Sequence, residues 1–263
     1  MSTALITGAS AGLGATFAQE LAKLQTDLVL VARSQDKLQQ LAQALQATYG
    51  IQVEVIPQDL TAPDAAPNVF EIVNQKNISI DLLINNAGFG DYGVFSQTSR
   101  RKQLEMIQLN ILALVDLTHH FLPQMQQRGS GSIINLSSIA GFQPLPYLSI
   151  YSATKAFVLS FSEALWAENQ HRGVKILAAC PGPTETNFFT TANFAQYAPD
   201  SLKQQQTDSP EVVVQEILQA LDTDDCTVVA GRWQNNFIVN LPRFLPRKTL
   251  VQIVEQQFRP QKA

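Results

Sequence analysis

The chain has few of the features that mark disulfide-stapled, metal-binding or membrane-spanning proteins. Its two cysteines, Cys180 and Cys226, are too few and too far apart for a disulfide framework or a zinc site. No apolar run reaches the ~18 residues of a membrane span, and the first residues read as a strand rather than a signal peptide. The net charge of −4 gives no overall reason to expect nucleic acid as a partner. We therefore expect a soluble, cytoplasmic protein.

Short apolar runs alternate with longer amphipathic stretches. Strands are predicted near residues 4–6, 28–31, 53–56, 82–84, 133–136, 174–179 and 227–230, and helices near 12–24, 34–49, 63–76, 100–128, 151–171 and 210–222. Most of the runs lack polar alternation, which is typical of parallel strands covered on both faces. The alternation predicts one α/β domain of the Rossmann type, a doubly wound parallel sheet of about seven strands with helices on both faces.

Two segments depart from this alternation. Residues 184–208 form a long polar and aromatic connection, which favours a lid, and its aromatic residues are Phe188, Phe189, Phe194 and Tyr197. Residues 232–263 form a basic extension that follows the predicted domain of residues 1–231. We expect the extension to pack on that same domain, over the substrate cleft or at a dimer interface. The alternative is an interfacial membrane-binding segment, because Leu250, Val251, Val254 and Phe258 share one stripe of its last helix.

A glycine-rich loop follows the first predicted strand and opens the first helix, with the sequence Thr-Gly-Ala-Ser-Ala-Gly-Leu-Gly over residues 7–14. Gly8 permits a tight turn, Gly12 lets the backbone approach a pyrophosphate, and Gly14 lets the helix and strand pack closely. The helix N-terminus itself favours an anion. The loop predicts a nucleotide site, and a structural turn is the alternative.

The end of the second strand indicates which dinucleotide binds. NAD-specific sites place a carboxylate there, but this strand ends with Arg33 and no Asp or Glu. A guanidinium can take a 2′-phosphate bidentately, so we favour NADP(H) over NAD(H). A solvated residue at the helix entry is the alternative for Arg33. Asp59, after the third strand, could accept a hydrogen bond from the adenine amine or could cap a turn. Asn86, Ala87 and Gly88 follow the fourth strand and would let a cofactor lie against it.

Tyr151 and Lys155 lie one turn apart on a predicted helix, and Ser138 lies just beyond the fifth strand. The carboxyl ends of parallel strands are where ligands bind, so Ser138 is expected at the same edge as the glycine-rich loop. A nearby ammonium could lower the phenol pKa toward 7, where general acid–base catalysis works best. Taken alone, the Tyr–Lys spacing also fits an ordinary surface pair.

Together these motifs resemble the classical short-chain dehydrogenases/reductases over residues 3–230, and the basic extension is similar to the DltE-like branch of that family. The motifs are the loop at 7–14, Asp59, Asn85 to Gly88, Asn110, Ser138, Tyr151 with Lys155, and the segment 181–186. The resemblance implies that Tyr151 is the general acid/base and that Ser138 binds the same substrate oxygen. It implies that Lys155 lowers the tyrosine pKa and binds the nicotinamide ribose. Asn110 would kink its helix and hold a water that links Lys155 to solvent.

The resemblance also implies the cofactor contacts and the assembly. The candidate cofactor-binding residues are Gly8, Ser10, Gly12, Leu13, Gly14, Arg33, Asp59, Leu60, Asn86, Ala87, Gly88, Tyr151, Lys155, Pro181, Gly182, Thr184 and Thr186. A homodimer or homotetramer would form through the helices 100–128 and 151–171, with a possible apolar seam of Phe157, Phe161, Ala164, Leu165 and Trp166.

The expected function is NADP(H)-dependent reduction of a carbonyl to a secondary alcohol, or the reverse. The substrate would be a small apolar or aromatic ketone or aldehyde, or an acyl-type carbonyl, because the expected pocket residues are large and mostly apolar: Phe89, Leu145, Tyr147, Phe188 and Phe189. Packing in the core or in the lid is the alternative for each of them. One alternative is a regulator that senses NADP(H) on the same fold without catalysis. Another is a sugar-nucleotide epimerase or dehydratase of the extended family, which has different glycine spacing.

Overall fold

The computed structural model describes residues 2–188, 192, 198–200 and 206–260, and in that part of the chain seven parallel strands form one sheet in the order β3-β2-β1-β4-β5-β6-β7. The strands are β1 Thr3–Thr7, β2 Asp27–Ala32, β3 Val53–Pro57, β4 Leu82–Asn85, β5 Gly131–Leu136, β6 Val174–Pro181 and β7 Thr227–Ala230. The predicted doubly wound parallel sheet is confirmed.

The helices follow the predicted alternation, with ends that differ from the predicted ones by one or two residues. They are α1 Gly12–Lys23, α2 Gln35–Tyr49, α3 Ala65–Gln75, α4 Arg100–Ile107, α5 Leu114–Arg128, α6 Ser149–Asn169, α7 Pro210–Ala220, α8 Trp233–Asn240 and α9 Arg247–Phe258. One prediction needs correction, because residues 100–128 are not one regular helix. A π-helical turn, Gln108–Ala113, separates α4 from α5.

Two apolar layers cover the sheet. Ile6 and Leu30 point to one side, where they pack with α1, α2 and α7. The adjacent Leu5 and Val31 point to the other side, where α3 and α5 cover them. Successive side chains of a strand point to opposite faces, so a strand covered on both sides needs apolar residues at every position. This is why the strand sequences show no polar alternation.

The strand order reverses direction between β1 and β4. From β1 the chain builds outward through β2 to β3, and it then returns to place β4 on the other side of β1. The loops that leave β1 and β4 therefore diverge and open a crevice at the carboxyl edge of the sheet. Residues that follow β1, β4, β5 and β6 all meet at this edge.

The C-terminal extension covers part of the same edge. Leu250 and Val254 of α9 are buried with Leu145 and Leu148, which precede α6. The Tyr92 hydroxyl donates to the carbonyl of Phe258. The Tyr147 hydroxyl donates to Glu255 Oε1 at 2.6 Å. The extension is thus joined to the α/β domain by an apolar contact and two tyrosine hydrogen bonds.

Within the described residues, no helix combines the length and apolar character needed to cross a membrane. The same part of the chain contains no cluster of three or more His, Cys, Asp or Glu side chains arranged to hold a metal ion. Cys180 is buried and Cys226 is partly buried, and both are free thiols.

The core under α5 provides a test of the fold. Phe121 is 1% exposed and meets Phe70 edge to face, with ring centroids 5.2 Å apart. We expect Phe121→Ala to reduce the free energy of unfolding by about 3–5 kcal/mol, because the cavity it leaves cannot fully collapse. Phe95→Ala is the control, since Phe95 is 59% exposed and its loss should cost less than ~0.5 kcal/mol. Equal losses in urea unfolding of the two variants would contradict the packing described.

Candidate active site

A cavity of about 1030 Å³ opens at the carboxyl edge of the sheet. Its wall includes the glycine-rich loop at Gly8 and Gly12, the three residues Ser138, Tyr151 and Lys155, and side chains from α8 and α9. One continuous space therefore joins the predicted nucleotide site, the predicted catalytic residues and the C-terminal extension.

Thr7 ties the glycine-rich loop to the end of β4. Its hydroxyl oxygen accepts hydrogen bonds from the backbone amides of Asn86 and Ala87, both at 3.0 Å. The Asn86 side chain donates in return to the Thr7 carbonyl at 2.8 Å. Thr7 was not among the predicted site residues, although a threonine before the first glycine of the loop was the available signal. Thr7 therefore connects the loop that follows β1 to the loop that follows β4.

The glycines of the loop are required by close approach. Gly8 has φ +67°, and a side chain there would meet Ala87 Cα at 3.0 Å. A Cβ at Gly14 would lie 2.3 Å from the Gly8 carbonyl oxygen, so α1 packs directly on the turn that leaves β1. The first turn of α1 contains no acidic residue, and Ala11 at its N-cap provides no side-chain acceptor. The backbone amides of this helix start are consequently suited to an anion such as a pyrophosphate.

Arg33 lines the cavity with an exposed side chain. It forms no ion pair with another described residue. Asp59 is placed differently, because its Oδ1 accepts from the amide and the hydroxyl of Thr61 at 3.0 and 2.8 Å. These contacts are those of the turn-capping alternative. Four of the predicted cofactor residues do not form part of the cavity wall: Ser10, Gly14, Asp59 and Leu60.

The segment after β6 faces the glycine-rich loop. Pro181, Gly182, Thr184 and Thr186 all line the cavity, and a side chain at Gly12 would meet Thr186 at 3.4 Å. Three of the predicted cofactor residues after β4 and in the loop also line it: Leu13, Ala87 and Gly88. The predicted cofactor residues that line the cavity therefore lie on opposite sides of one space.

Ser138, Tyr151 and Lys155 come together where β5 meets α6. Ser138 follows β5, accepts from the Ala140 amide at 3.1 Å, and lines the same cavity as Tyr151. Tyr151 and Lys155 lie one turn apart on α6, as predicted, with the Lys155 Nζ 5.8 Å from the centre of the tyrosine ring. The ammonium donates instead to the carbonyl of Leu136 at 2.6 Å.

Two residues that the sequence reasoning did not single out fix this junction. The Ser137 hydroxyl donates to the Lys155 carbonyl at 2.7 Å. A side chain at Gly141 would lie 2.8 Å from the same carbonyl oxygen. Ser137 and Gly141 were visible in the sequence beside Ser138, but only the fold shows that α6 packs against both.

Asn110 lies in the π-helical turn and is buried. Its side chain accepts from the Phe89 amide at 3.1 Å and donates to the Phe89 carbonyl and the Thr154 hydroxyl at 3.0 and 3.1 Å. Asn110 does not line the cavity, so it acts by joining the end of β4 to α6. Single π-helical turns within helices are frequent at functional sites. The water that the resemblance implies at Asn110 stays a prediction.

The acid–base properties differ from the prediction for Tyr151. Burial raises the pKa of its phenol to about 12, and the neighbouring Ser138 side chain opposes this rise. Burial also lowers the pKa of Lys155 to about 8. The expected reduction of the tyrosine pKa toward 7 is therefore not produced by these residues, because desolvation outweighs an ammonium that is directed at the Leu136 carbonyl. At neutral pH the phenol keeps its proton.

The substrate side of the cavity is only partly as predicted. Phe89, Leu145 and Phe188 line it, and the Phe188 ring centre lies 5.1 Å from that of Tyr151. Tyr147 does not line the cavity, since its hydroxyl bonds to Glu255. Phe189, Phe194 and Tyr197 lie outside the described residues.

The C-terminal extension was expected over the substrate cleft or at a dimer interface, and in the structure it contributes to this wall through Ile238, Leu241, Leu250, Ile253, Val254 and Phe258. Sequence reasoning missed Arg101 and Lys102 of α4, which bring basic groups to the cavity. The apolar stripe of α9 was visible in the sequence, but nothing in the sequence indicated which surface it covers.

A sequence model of the short chain dehydrogenase family matches residues 2–196. The chain therefore belongs to this family of oxidoreductases, which act on CH–OH/C=O groups with a nicotinamide cofactor.

Individual relatives agree with this assignment. The ketoacyl reductase HetN of Nostoc sp. is 38% identical over 180 residues, which cover 68% of this chain and 62% of that protein. The human very-long-chain 3-oxoacyl-CoA reductase is 29% identical over 254 residues, 94% of this chain and 78% of that protein. The chain spans 56 to 62% of the length of three curated relatives that it matches, HetN and the zebrafish and bovine 3-oxoacyl-CoA reductases.

Among solved structures, a short-chain dehydrogenase from Sphingobium yanoikuyae in complex with NADPH superposes with a TM-score of 0.80 at 32% identity. The match covers 100% of this chain and 98% of that one. The likeness therefore includes the C-terminal extension as well as the α/β domain.

The lowered pKa of Lys155 predicts a pH dependence. We expect kcat/KM for carbonyl reduction to fall as the pH rises through about 8, because the free enzyme then loses the Lys155 ammonium. Tyr151 stays protonated over this range, since its pKa is about 12. Initial rates between neutral pH and mildly alkaline pH, at fixed low substrate and cofactor, would measure the profile. A flat profile across pH 8 would show that the Lys155 charge is not needed.

Proposed function

We propose that this protein reduces a ketone carbonyl to a secondary alcohol with NADPH, and that Tyr151 donates the proton. The observation that carries the proposal is that Ser138, Tyr151 and Lys155 all line one cavity, with Lys155 one turn from Tyr151 on α6. That cavity also contains the loop suited to a pyrophosphate, so a carbonyl and a dinucleotide can share one space.

The residues present fit a nicotinamide dinucleotide. The start of α1 offers free amides, and the glycines leave room for close approach, since a side chain at Gly88 would meet Asn110 Oδ1 at 2.9 Å. Arg33 is available at the cavity for a phosphate, and Thr184 and Thr186 would hold the nicotinamide carboxamide. When bound, the cofactor supplies the hydride, and the protein positions the two carbons.

The chain's own residues would bind and protonate the substrate oxygen. Ser138 donates a hydrogen bond to it and stabilises the negative charge that develops there. The Tyr151 phenol transfers its proton to this oxygen as the carbonyl becomes an alkoxide. A phenol that is protonated at neutral pH is the form needed for reduction, and this supports reduction over oxidation. Lys155, one turn away, would bind the nicotinamide ribose and replace part of the lost solvation of the phenolate.

The proposed substrate is a 3-oxoacyl thioester, a carbonyl next to an apolar chain. The wall near Tyr151 is built from apolar side chains, among them Leu145, Leu250 and Val254. The names of the two reductases above, ketoacyl and 3-oxoacyl-CoA reductase, fit this wall. Arg101 and Lys102 also reach the cavity, but both already pair with carboxylates, Arg101 with Glu105 at 3.6 Å and Lys102 with Asp91 at 2.6 Å.

We propose a homo-oligomer formed through residues 100–128, which comprise α4, the π-helical turn and α5, and through α6. Leu104, Leu112 and Phe157 are 48, 50 and 42% exposed on these helices and the turn between α4 and α5. Phe157 stacks on Phe161 with ring centres 5.8 Å apart. Leu165 and Trp166, predicted for the same seam, are partly buried against the core of the protein's own sheet. Only part of their surface is therefore available to the seam.

Replacing the proton donor tests the proposed chemistry. Tyr151→Phe should lower kcat for NADPH-dependent reduction by about 10²–10⁴-fold, the usual worth of a positioned general acid. NADPH binding, measured by fluorescence titration, should be nearly unchanged. Tyr49→Phe is the matched control, because Tyr49 ends α2 and does not line the cavity. Turnover near the wild-type rate in Tyr151→Phe would remove this residue from the mechanism.

Cofactor preference is tested at Arg33. Arg33→Asp should shift the ratio of kcat/KM for NADPH over NADH by at least about ten-fold toward NADH, since a carboxylate repels the 2′-phosphate. Lys37→Asp is the control, because Lys37 makes the same charge change on α2 without lining the cavity. An equal shift in both variants would indicate general electrostatics rather than a specific phosphate contact.

A further inference from the structure

The outer side of the C-terminal extension exposes three large aromatic side chains. Trp233 is 75% exposed, Phe237 66% and Phe244 81%. Trp233 and Phe237 lie one turn apart on α8 and so share a face. None of the three lines the cavity. Exposed aromatic residues grouped in one short segment indicate an interaction surface rather than a solvated one.

The same segment carries unpaired positive charge. Arg243, Arg247 and Lys248 are exposed, and none forms an ion pair with a carboxylate in the described part of the chain. The sequence from Thr227 to Val254 contains no Asp or Glu. Residues 232–263 hold six of the 18 Lys and Arg and one of the 22 Asp and Glu, so they carry +5 while the rest of the chain carries −9.

We propose that the protein docks onto an anionic lipid bilayer through a basic aromatic surface formed by Trp233, Phe237, Arg243, Phe244, Arg247 and Lys248. Aromatic rings partition into the headgroup region, and exposed basic residues add attraction to anionic lipids, about five-fold in affinity for each. The negative charge of the rest of the chain is repelled by the same lipids. The charge distribution therefore selects one orientation, with the extension toward the membrane.

The positive charge of this surface also argues against a second copy of the chain as its binding partner. A two-fold interface places the same surface against itself, so Arg243, Arg247 and Lys248 would face their own counterparts. No carboxylate between Thr227 and Val254 is present to compensate them. An anionic lipid surface supplies that compensation.

Docking would bring the cavity wall to the membrane. Ile238 and Leu241 lie in the same segment as the exposed aromatic residues, and they line the cavity from within. If the substrate carries an acyl chain, as proposed above, it can then pass between the bilayer and the cavity. Only this consequence rests on the proposed function, because docking itself is measured without any turnover.

Vesicle co-sedimentation tests the docking. The full-length protein should sediment with vesicles of phosphatidylcholine and phosphatidylglycerol, much less with pure phosphatidylcholine, and less at high salt. The triple variant Arg243→Gln, Arg247→Gln, Lys248→Gln should bind about a hundred-fold more weakly. The control triple variant Lys37→Gln, Arg100→Gln, Arg172→Gln removes the same charge elsewhere and should bind as the wild type does.

The aromatic contribution is read from tryptophan fluorescence. Trp166→Phe leaves Trp233 as the single tryptophan, and its emission should shift to the blue when phosphatidylglycerol vesicles are added. Phe237→Ser with Phe244→Ser should weaken vesicle binding at least ten-fold. Leu24→Ser with Phe95→Ser, which removes two exposed apolar side chains elsewhere, should not. Both pairs should keep the thermal unfolding midpoint of the wild type, which separates loss of docking from misfolding.

Three results would overturn the proposal. The first is wild-type protein that stays in the supernatant with both kinds of vesicle. The second is equal binding by the two charge variants. The third is a change of oligomeric state in the Phe237→Ser, Phe244→Ser variant, seen by analytical ultracentrifugation, without a change in vesicle binding, which would assign the surface to a second copy. Absence of reductase activity in vesicle-binding protein would contradict the proposed function alone.

Discussion

The hydrogen bond from the Lys155 ammonium to the Leu136 carbonyl is the contact on which the geometry of the site depends. An ammonium out of water is costly unless it is hydrogen-bonded, and here the end of β5 supplies an acceptor at 2.6 Å. The Ser137 hydroxyl returns a bond to the Lys155 carbonyl, so strand and helix are joined in both directions. With α6 held in this way, Tyr151 is fixed beside Ser138, which follows the same strand. The register of one helix on one strand end thus positions every group proposed to touch the substrate oxygen.

The same burial that orients these groups also sets their acidity. A phenol with a pKa near 12 is a poor base at neutral pH, and a lysine with a pKa near 8 is easily discharged. Both values follow from desolvation, and both disfavour the charged forms of the pair. A positively charged partner in the cavity would favour the phenolate, whereas the neutral phenol is suited to giving up its proton to a developing alkoxide. The protonated phenol is thus the form that the proposed reduction requires.

Much of the fold and the centre of the site could be predicted from the sequence. The strand pattern was readable because buried parallel strands need apolar residues at each position. Ser138, Tyr151 and Lys155 were singled out by the family motifs, and a strand end and a helical turn explain why the fold brings them together. Two of the predictions that failed have clear physical reasons. The effect of Lys155 on the tyrosine pKa depends on where the ammonium points and on burial, and neither is visible in a spacing. Tyr147 was expected in the pocket, but its hydroxyl is bonded to Glu255, a contact between residues far apart in the chain.

The C-terminal extension shows a further limit of prediction from the sequence. Its apolar stripe indicated burial, but a stripe does not identify the surface it covers, and only the fold shows that Leu250 and Val254 lie over the stretch between Ser138 and Tyr151. The extension is therefore part of the cavity wall. The side of the extension that faces the cavity is apolar, and its exposed side is basic and aromatic. Each side therefore requires a different partner. The cavity accounts for the inner side, and an anionic lipid surface is the partner whose chemistry fits the outer one.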